Sequence, residues 1–340
     1  MKDCSKDVLN YHDQRVTLPK PIQDSLRGNR NANRDRLRRG LEKNEHPKPS
    51  KFIIQGSYGM KTMKQHPKKD YDIDDGAAFE ADNLVNATSD PLTPHQAKER
   101  VRDALIAGGG LSTDPVIKRN CVRVDYADGH HVDIPVFRLS NSLWGVEKRE
   151  FASGDEWKDS DPTGITNWFK TTEKNTHKDG ENEPQLRRLV RLLKMYAGNN
   201  LGKDALSGLL LTVLAAEVHR IHDSREDNAF RNLLTNVRAR LGYNRKVYNP
   251  ADLSEELTRD RDSGKIDKLI EQIDSSLKTF EILDDPDCTQ VEARKAWDKV
   301  FKSDFFSELH MDEQAKKVPA TPSDSYPNKR VNIQGPGTSA

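Results

Sequence analysis

Cysteine is scarce in this chain of 340 residues, and its three cysteines, Cys4, Cys121 and Cys288, stand far apart. A sparse and odd set excludes a disulfide scaffold, and the absence of paired spacing excludes a cysteine-ligated metal site. Long hydrophobic runs are also missing, because no apolar stretch reaches the roughly 18 residues of a membrane span. We therefore expect a cytoplasmic protein with no membrane partner.

Neither sign of charge is in excess, since 55 Lys and Arg stand against 54 Asp and Glu, for a formal net charge of +1. Bulk charge therefore gives no reason to expect a specific nucleic-acid template. Hydrophobic residues make up only 34% of the chain and charged residues 32%, which is polar for a globular protein. The length allows two lobes, at about 100–200 residues per domain.

The most informative stretch covers residues 51–75. A short apolar run at residues 52–54 predicts a strand, and Gly56 and Ser57 follow it directly. Glycine lets a backbone approach a ligand closely, and the next N–H groups with a serine hydroxyl can hold a phosphate. The pattern predicts a phosphate-binding turn at the end of a strand.

Two carboxylates follow on one face of a second predicted strand. Asp72 and Asp74 alternate with Tyr71 and Ile73, so both carboxylates point the same way, whereas Asp75 points to the other face. Like charges on one face repel each other unless a cation lies between them. Mg²⁺, held by one or two carboxylates and substrate phosphates, is the usual solution, with Mn²⁺ as an alternative.

A third carboxylate stands on a predicted hairpin. Residues 128–129 (Asp-Gly) are a turn signal between apolar runs at residues 122–124 and 132–136, so Asp133 lies on the returning strand. A Gly-Ser turn, an Asp-x-Asp pair and a later single aspartate are typical of nucleotidyltransferases of the polymerase-beta type. In these enzymes two metal ions bridge the attacking hydroxyl and the triphosphate.

The resemblance extends to a family. Its motifs here are Gln55-Gly56-Ser57-Tyr58 with Lys61-Thr62, then Asp72-Ile73-Asp74-Asp75-Gly76, then His131-Val132-Asp133-Ile134-Pro135. These motifs resemble the cGAS/DncV-like nucleotidyltransferases. The N-terminal Asn10-Tyr11-His12-Asp13 with Val16-Thr17-Leu18 also resembles the cyclic GMP-AMP synthase branch. These are bacterial enzymes that make cyclic oligonucleotide signals in anti-phage defence. The resemblance covers roughly residues 8–215 and is weak beyond about residue 250.

This resemblance implies an α/β (α+β) fold, with a mixed-sheet nucleotidyltransferase lobe of the polymerase-beta type and a helical second lobe. We expect the catalytic lobe with an N-terminal helix at residues 1–182 and the helical lobe at residues 183–317. Residues 318–340 are rich in Pro, Ser, Asn and Gly, a composition that predicts a disordered tail.

The resemblance also implies roles for particular residues. Asp72, Asp74 and Asp133 are the expected catalytic residues and the ligands of two Mg²⁺ ions. An arginine facing the nucleotide corresponds to Arg123, and Lys194 and Ser207 correspond to residues that hold the donor triphosphate. The full set of expected nucleotide-binding residues is Gln55, Gly56, Ser57, Tyr58, Lys61, Arg123, Lys194 and Ser207.

The implied activity joins nucleoside triphosphates, ATP or GTP foremost, into a cyclic di- or oligonucleotide with release of pyrophosphate. The implied partners are a downstream effector that senses the product and a ubiquitin-like conjugation partner that acts on the C-terminal tail. Two alternatives stay open: a linear, template-independent nucleotidyltransferase that tails RNA or AMPylates protein, and a catalytically inactive nucleotide-binding homologue. Motif spacing also leaves open the bases, the linkage and ring size, the activating signal and the oligomeric state.

Overall fold

The computed structural model describes residues 1–67, 70–141, 147–174, 176, 184–219 and 224–309. The predicted tail and the predicted lobe boundary at residue 182 lie outside these residues. The strands are β1 (Lys51–Ile54), β2 (Asp72–Glu80), β3 (Val116–Ile117), β4 (Val122–Asp125), β5 (His131–Ile134), β6 (Val136–Asn141), β7 (Glu147–Ser153), β8 (Glu156–Asp159), β9 (Tyr248–Asn249) and β10 (Asp252–Glu256).

The α-helices are α1 (Ser5–Tyr11), α2 (Lys20–Lys43), α3 (Gly56–Gly59), α4 (Pro94–Gly108), α5 (Gly164–Lys174), α6 (Gln185–Leu201), α7 (Gly208–Val218), α8 (Glu226–Tyr243), α9 (Ser263–Thr279) and α10 (Gln290–Phe301). A π-helical turn (His12–Val16) continues α1. Helix α7 is strongly apolar, and it is therefore buried in the helical lobe. Across the described ranges, no helix has the length and apolarity that crossing a bilayer requires.

Within those ranges, eight strands form one mixed sheet in the order β3-β4-β5-β2-β6-β7-β8, and β1 pairs with β2. Strand β2 runs parallel to β5 along residues 72–74 and parallel to β6 along residues 77–80. Pro135, which has no N–H to donate, separates β5 from β6 and divides the single run predicted for residues 132–136. The predicted hairpin is present, since β4 and β5 pair antiparallel.

Helices α2 and α4 cover one face of this sheet. Leu26, Leu37 and Leu41 of α2 are buried, as their helical spacing predicts. Thr93 followed by Pro94 is a typical helix start, and α4 begins there, with the Thr93 side chain accepting a hydrogen bond from the Gln96 N–H. At the crossing, Gly40 leaves no space for a Cβ against the Ala104 carbonyl. The two helices therefore pack with their backbones in direct contact.

A second core lies in the helical lobe. Its centre is aromatic, with the ring of Phe301 stacked against Phe230 and Trp297. Residues 1–16 join this core, because the Tyr11 ring lies 4.7 Å from Phe301. Phe169 of α5 is also part of it. Two segments from the predicted catalytic lobe thus complete the helical core.

Candidate active site

The three expected metal ligands lie on adjacent strands. Parallel pairing of β2 and β5 sets Asp74 opposite Asp133 and Asp72 opposite His131. Alternation along each strand brings these side chains to one face of the sheet. One ligand atom each from Asp72, His131 and Asp133 lie within 4.8 Å of one another. The register of β2 against β5 therefore brings together Asp72 and Asp133, which are 61 positions apart in the sequence.

The carboxylates repel each other. Burial first, and then the charges of Asp72 and Asp133, raise the pKa of Asp74 to about 7. The pKa of Asp72 is also raised, first by desolvation against the cleft wall and then by Asp133, although half of its side chain remains exposed. Both pKa values are raised because the positive charge of the surrounding residues does not offset burial and the repulsion between the carboxylates.

A divalent cation fits this group. Carboxylate oxygens are the ligands that Mg²⁺ and Mn²⁺ prefer, and two or three of them on one face match such an ion. The raised pKa values of Asp72 and Asp74 point the same way, since a bound cation would relieve the repulsion that contributes to both shifts. Asp72, Asp74 and Asp133 are thus suited to hold metal ions.

Arg123 binds one of these ligands directly. Its Nε donates to Asp133 Oδ1 at 2.7 Å and its Nη2 donates to Asp133 Oδ2 at 2.8 Å. The two residues are opposite each other in the β4–β5 ladder. This bidentate hydrogen bond raises the pKa of the Arg123 guanidinium. The arginine expected to face the nucleotide instead neutralises a metal-site carboxylate in this structure.

His131 flanks the same group. Its Nε2 lies 3.3 Å from Asp72 Oδ1 and its Nδ1 lies 3.7 Å from Asp70 Oδ1. His131 stands two residues before Asp133 in β5, so alternation along the strand puts both on one face. The structure adds that its ring contacts Asp72 across the strand pair.

The Gly-Ser turn lies against Asp74. Gly56 has a φ of +61°, and a Cβ on it would overlap Asp74 Oδ2. The Gln55 N–H also donates to the Asp74 carbonyl at 3.0 Å. Glycine is therefore required twice at this position, for the left-handed backbone and for the close approach of the acidic strand.

A cleft of about 1280 Å³ opens between the lobes. Gln55, Gly56, Ser57 and Asp74 line it from the sheet, and Lys194 lines it from α6. Lys194 is buried and donates to Thr62 Oγ1 at 2.9 Å and to the Thr62 carbonyl at 3.3 Å. Burial, followed by the charges of Arg191 and Lys64, lowers the pKa of Lys194 to about 7.

Ser207 caps the helix that faces Lys194. Its side chain accepts a hydrogen bond from the Leu210 N–H at 3.3 Å. A Cβ on Gly208 would lie 3.5 Å from Lys194 Cε, so the first turn of α7 is in contact with this lysine. The structure thus places Lys194 and Ser207 together, on the side of the cleft opposite the aspartates.

Tyr58 and Lys61 lie elsewhere. Both line a second cavity of about 630 Å³ on another side of α3. The Tyr58 hydroxyl accepts a hydrogen bond from Arg30 at 3.3 Å, and the Lys61 carbonyl accepts from Arg191 Nε at 3.1 Å. The short helix α3 turns successive side chains away from each other, so the structure does not bring these two residues together with the aspartates.

Sequence reasoning missed the basic side of the cleft. Arg119, Lys148, Arg149 and Lys158 line it from the sheet, and Arg259 lines it from the helical lobe. Several of them already hold carboxylates, such as Lys148 with Glu150 and Arg149 with Asp161, so they order the wall as well as charge it. The Lys and Arg residues in residues 147–158 were the available signal, but the sequence of that stretch indicates only a polar segment that connects the lobes.

A Gly-Ser turn beside carboxylates from neighbouring strands, in a cleft faced by a helical lobe, defines a nucleotidyltransferase of the polymerase-beta type, and the predicted fold class is confirmed. Residues 50–137 match the family model for the nucleotidyltransferase domain of cyclic GMP-AMP synthase DncV-like proteins. This match covers the segment that carries the Gly56-Ser57 turn and the three aspartates, and it supports the resemblance to the cGAS/DncV-like nucleotidyltransferases.

Solved structures share the fold over both lobes. CD-NTase CdnG of Bradyrhizobium diazoefficiens, in complex with GTP, is 16% identical with a TM-score of 0.66, over 92% of this chain and 98% of that one. CdnC of E. coli MS115-1 with ATP is 15% identical with a TM-score of 0.63, over 88% and 98%. Vibrio cholerae DncV, a cyclic AMP-GMP synthase with a linear intermediate, is 16% identical with a TM-score of 0.62, over 84% and 92%.

Proposed function

We propose that this nucleotidyltransferase is a cyclic oligonucleotide synthase. It would join nucleoside triphosphates, ATP or GTP foremost, with release of pyrophosphate, and close the product into a ring. The observation that carries the proposal is the in-register pairing of Asp74 with Asp133 beside the Gly56 turn, inside a cleft large enough for more than one nucleotide. The fold shared with a synthase that binds a linear intermediate supports cyclisation.

Residues from both lobes can bind the substrate triphosphate. The Gly56 backbone and the Ser57 hydroxyl can donate to phosphate oxygens next to Asp74. Lys194 can contact the same triphosphate from α6, with the N-terminal end of α7 at Ser207 adding a favourable dipole. Binding between these two groups would orient the α-phosphate toward the aspartates.

Asp72, Asp74 and Asp133 would hold two Mg²⁺ ions, or Mn²⁺. When bound, these ions would stabilise the negative charge of the pentavalent transition state and acidify the attacking ribose hydroxyl. Asp133 would then accept the hydroxyl proton, because it is the carboxylate that Arg123 keeps in place. His131 would hold Asp72 in its ligand orientation. Loss of one aspartate should abolish synthesis while the fold is retained.

The two alternatives differ in product. A linear nucleotidyltransferase would use the same three aspartates, and an inactive homologue would bind nucleotide without turnover. Asp72 and Asp133 lie in one possible metal-binding group and Asp74 lies opposite Asp133 on the paired strand, which disfavours the inactive homologue. Among the described residues, both lobes are accounted for by the shared fold, and no additional RNA-tracking domain is present.

The test is a product assay. Purified protein is incubated with all four nucleoside triphosphates, each α-labelled in turn, with Mg²⁺ or Mn²⁺, and the products are treated with phosphatase. A cyclic product resists phosphatase, and the labels that it carries identify the bases. The control is the double variant Asp72→Ala, Asp74→Ala, which should give no such product.

Phosphatase-sensitive ladders would replace the proposal with the linear polymerase. Absence of product with both metals, together with nucleotide binding in calorimetry, would favour the inactive homologue. An activator requirement is distinguished from inactivity by repeating the assay in lysate of phage-infected cells.

We further propose a cytoplasmic role in anti-phage defence, with an effector that senses the product. A ubiquitin-like conjugation partner would act on the tail after residue 318, which lies outside the described residues. Removing the last few residues should abolish conjugates formed beside the cognate accessory protein. Unchanged conjugates would contradict this part of the proposal.

A further inference from the structure

Two lysines meet at the junction of the lobes. Lys194 projects from α6, and Lys64 belongs to the segment that connects α3 to β2. A Cβ on Gly198, one helical turn after Lys194, would lie 3.5 Å from Lys64 Nζ. Lys64 therefore lies along the same face of α6, one turn beyond Lys194.

Neither lysine is neutralised by a carboxylate within the described part of the chain. Lys194 donates to the Thr62 hydroxyl and carbonyl, and Lys64 donates to the Gln65 carbonyl at 3.3 Å. All of these acceptors are uncharged. Arg191, whose charge also acts on Lys194, donates to the Lys61 carbonyl and is itself a cation.

Such a cluster is costly without an anion. Burial lowers the pKa of Lys64, and Lys64 in turn lowers the pKa of Lys194. Lysines that only stabilise a fold are usually paired or exposed, because a buried charge without a counter-charge is unfavourable. A buried lysine beside a half-buried one, with no carboxylate between them, is therefore expected where a polyanion supplies the missing charge.

We propose that Lys64 is a further triphosphate-binding residue, which with Lys194 extends the phosphate site along α6 beyond the Gly56 turn. The inference rests on the proposed function, because it assigns the ligand as the triphosphate of the substrate. Gly56 and Ser57 contact the phosphates nearest the aspartates, Lys194 the middle of the chain and Lys64 its distal end. The family motifs do not include position 64.

The competing interpretation is structural, with Lys64 merely packing over Gly198. The two interpretations predict different effects on the binding of triphosphates and monophosphates. If Lys64 contacts the distal phosphates, its removal weakens binding of a triphosphate and leaves a monophosphate unaffected. If it only packs, both ligands lose affinity to the same extent or neither does.

The experiment measures binding by calorimetry with three probes: inorganic tripolyphosphate, non-hydrolysable ATP and GTP analogues, and the matching monophosphates. Lys64→Met should weaken tripolyphosphate and the triphosphate analogues about tenfold, with monophosphate affinity unchanged. Lys64→Arg should stay within about threefold of the parent, since it retains the charge. Lys203→Met, at an exposed lysine in the turn between α6 and α7, is the matched control and should bind as the parent.

Thermal denaturation of each variant shows that it is folded. An unchanged triphosphate affinity in Lys64→Met, or an equal loss for the monophosphates, would overturn the inference. Because no probe is turned over, the result is independent of the product assay. A protein that needs Lys64 to bind triphosphates but makes no cyclic product would retain this inference and lose the proposed function.

Discussion

Asp133 is the residue at which two kinds of positive charge compete. Arg123 holds both of its oxygens in this structure, and the proposed metal ions need the same oxygens. An arginine beside a metal ligand repels an incoming cation even when its hydrogen bonds fix the ligand's orientation. Arg123 should therefore favour metal binding only when nucleotide phosphates arrive with the metal.

We expect Arg123→Gln to bind Mn²⁺ about tenfold more tightly in the absence of nucleotide, because one positive charge is removed from the site. The measurement is a titration followed by the electron paramagnetic resonance of free Mn²⁺. Arg138→Gln is the matched control, since Arg138 also lies on a strand and pairs with a carboxylate, Glu150, on the neighbouring strand. Equal affinity in Arg123→Gln and the parent would show that Arg123 does not limit metal binding.

Lys194 gives a pH-dependent prediction. Its pKa is about 7 in the folded protein and well above that in the unfolded chain, so the unfolded chain binds the extra proton between these values. The free energy of unfolding should therefore rise with pH above about 7 at this residue. A bound triphosphate favours the charged lysine and should raise its pKa again.

Triphosphate binding at about pH 8 should consequently take up close to one proton. Calorimetry in buffers of different ionisation enthalpy measures this uptake. Lys194→Arg is the control, because arginine remains charged and can bind the anion without taking up a proton. Equal uptake by Lys194→Arg and the parent would assign the proton to another group.

At the scale of the elements, the short helix α3 determines which side chains reach the cleft. Gly56 and Ser57 at its start line the cleft with Asp74, whereas Tyr58 and Gly59 line the second cavity. One turn of helix thus separates a phosphate-binding turn from residues of the same motif. The left-handed conformation of Gly56 sets the direction in which the turn begins.

Gly56→Ala should lower the free energy of unfolding by about 1–3 kcal/mol, because alanine would be strained at this φ and its Cβ would overlap Asp74. It should also abolish nucleotide binding. Urea denaturation measures the stability. Gly28→Ala is the contrasting control in α2, where a Cβ meets nothing within 4 Å, and it should stabilise the protein by about 0.5–1 kcal/mol. A parent-like Gly56→Ala would contradict the conformational argument.

Local rules predict these elements well. Strand alternation places Asp72 and Asp74 on one face and Asp75 on the other, where Asp75 accepts hydrogen bonds from Arg34 instead. A cap and a proline locate the start of α4 at Thr93. Both rules succeed because the physical cause lies within a few residues of the position predicted.

The relative positions of elements that are far apart in the sequence could not be predicted in the same way. The parallel pairing of β2 with β5 depends on a connection of fifty residues, and the contact of Arg123 with Asp133 depends on the register of β4 against β5. Likewise, nothing near Tyr11 in the sequence indicates that it packs on Phe301. Single residues were identified from the motifs, while their partners came only from the fold.

At the scale of the whole molecule, the helical lobe is completed by the start of the chain. Asp7 of α1 accepts hydrogen bonds from Arg294 of α10 at 2.8 Å and 3.2 Å, and both side chains are buried. The Cys4 N–H donates to Asp227 of α8 at 2.7 Å. These buried contacts attach α1 to the lobe that carries Lys194.

Asp7→Asn should lower the free energy of unfolding by about 3–5 kcal/mol, because it removes the carboxylate charge from a buried ion pair with Arg294. Chemical denaturation provides the measurement. Asp274→Asn, which removes an exposed pair with Arg238, should cost less than about 1 kcal/mol. Similar losses in the two variants would show that the Asp7 pair carries no special weight in holding α1.

This attachment also has a consequence for biosynthesis. Residues 1–16 leave the ribosome before the rest of the chain, yet their packing partners on α8 and α10 are translated more than two hundred positions later. A nascent chain that stalls after β5 already carries Asp72, Asp74 and Asp133, but it lacks α6 and the lysine that faces them. Catalysis should thus await translation of α6, α8 and α10, which ties the onset of activity to the length of the chain already made.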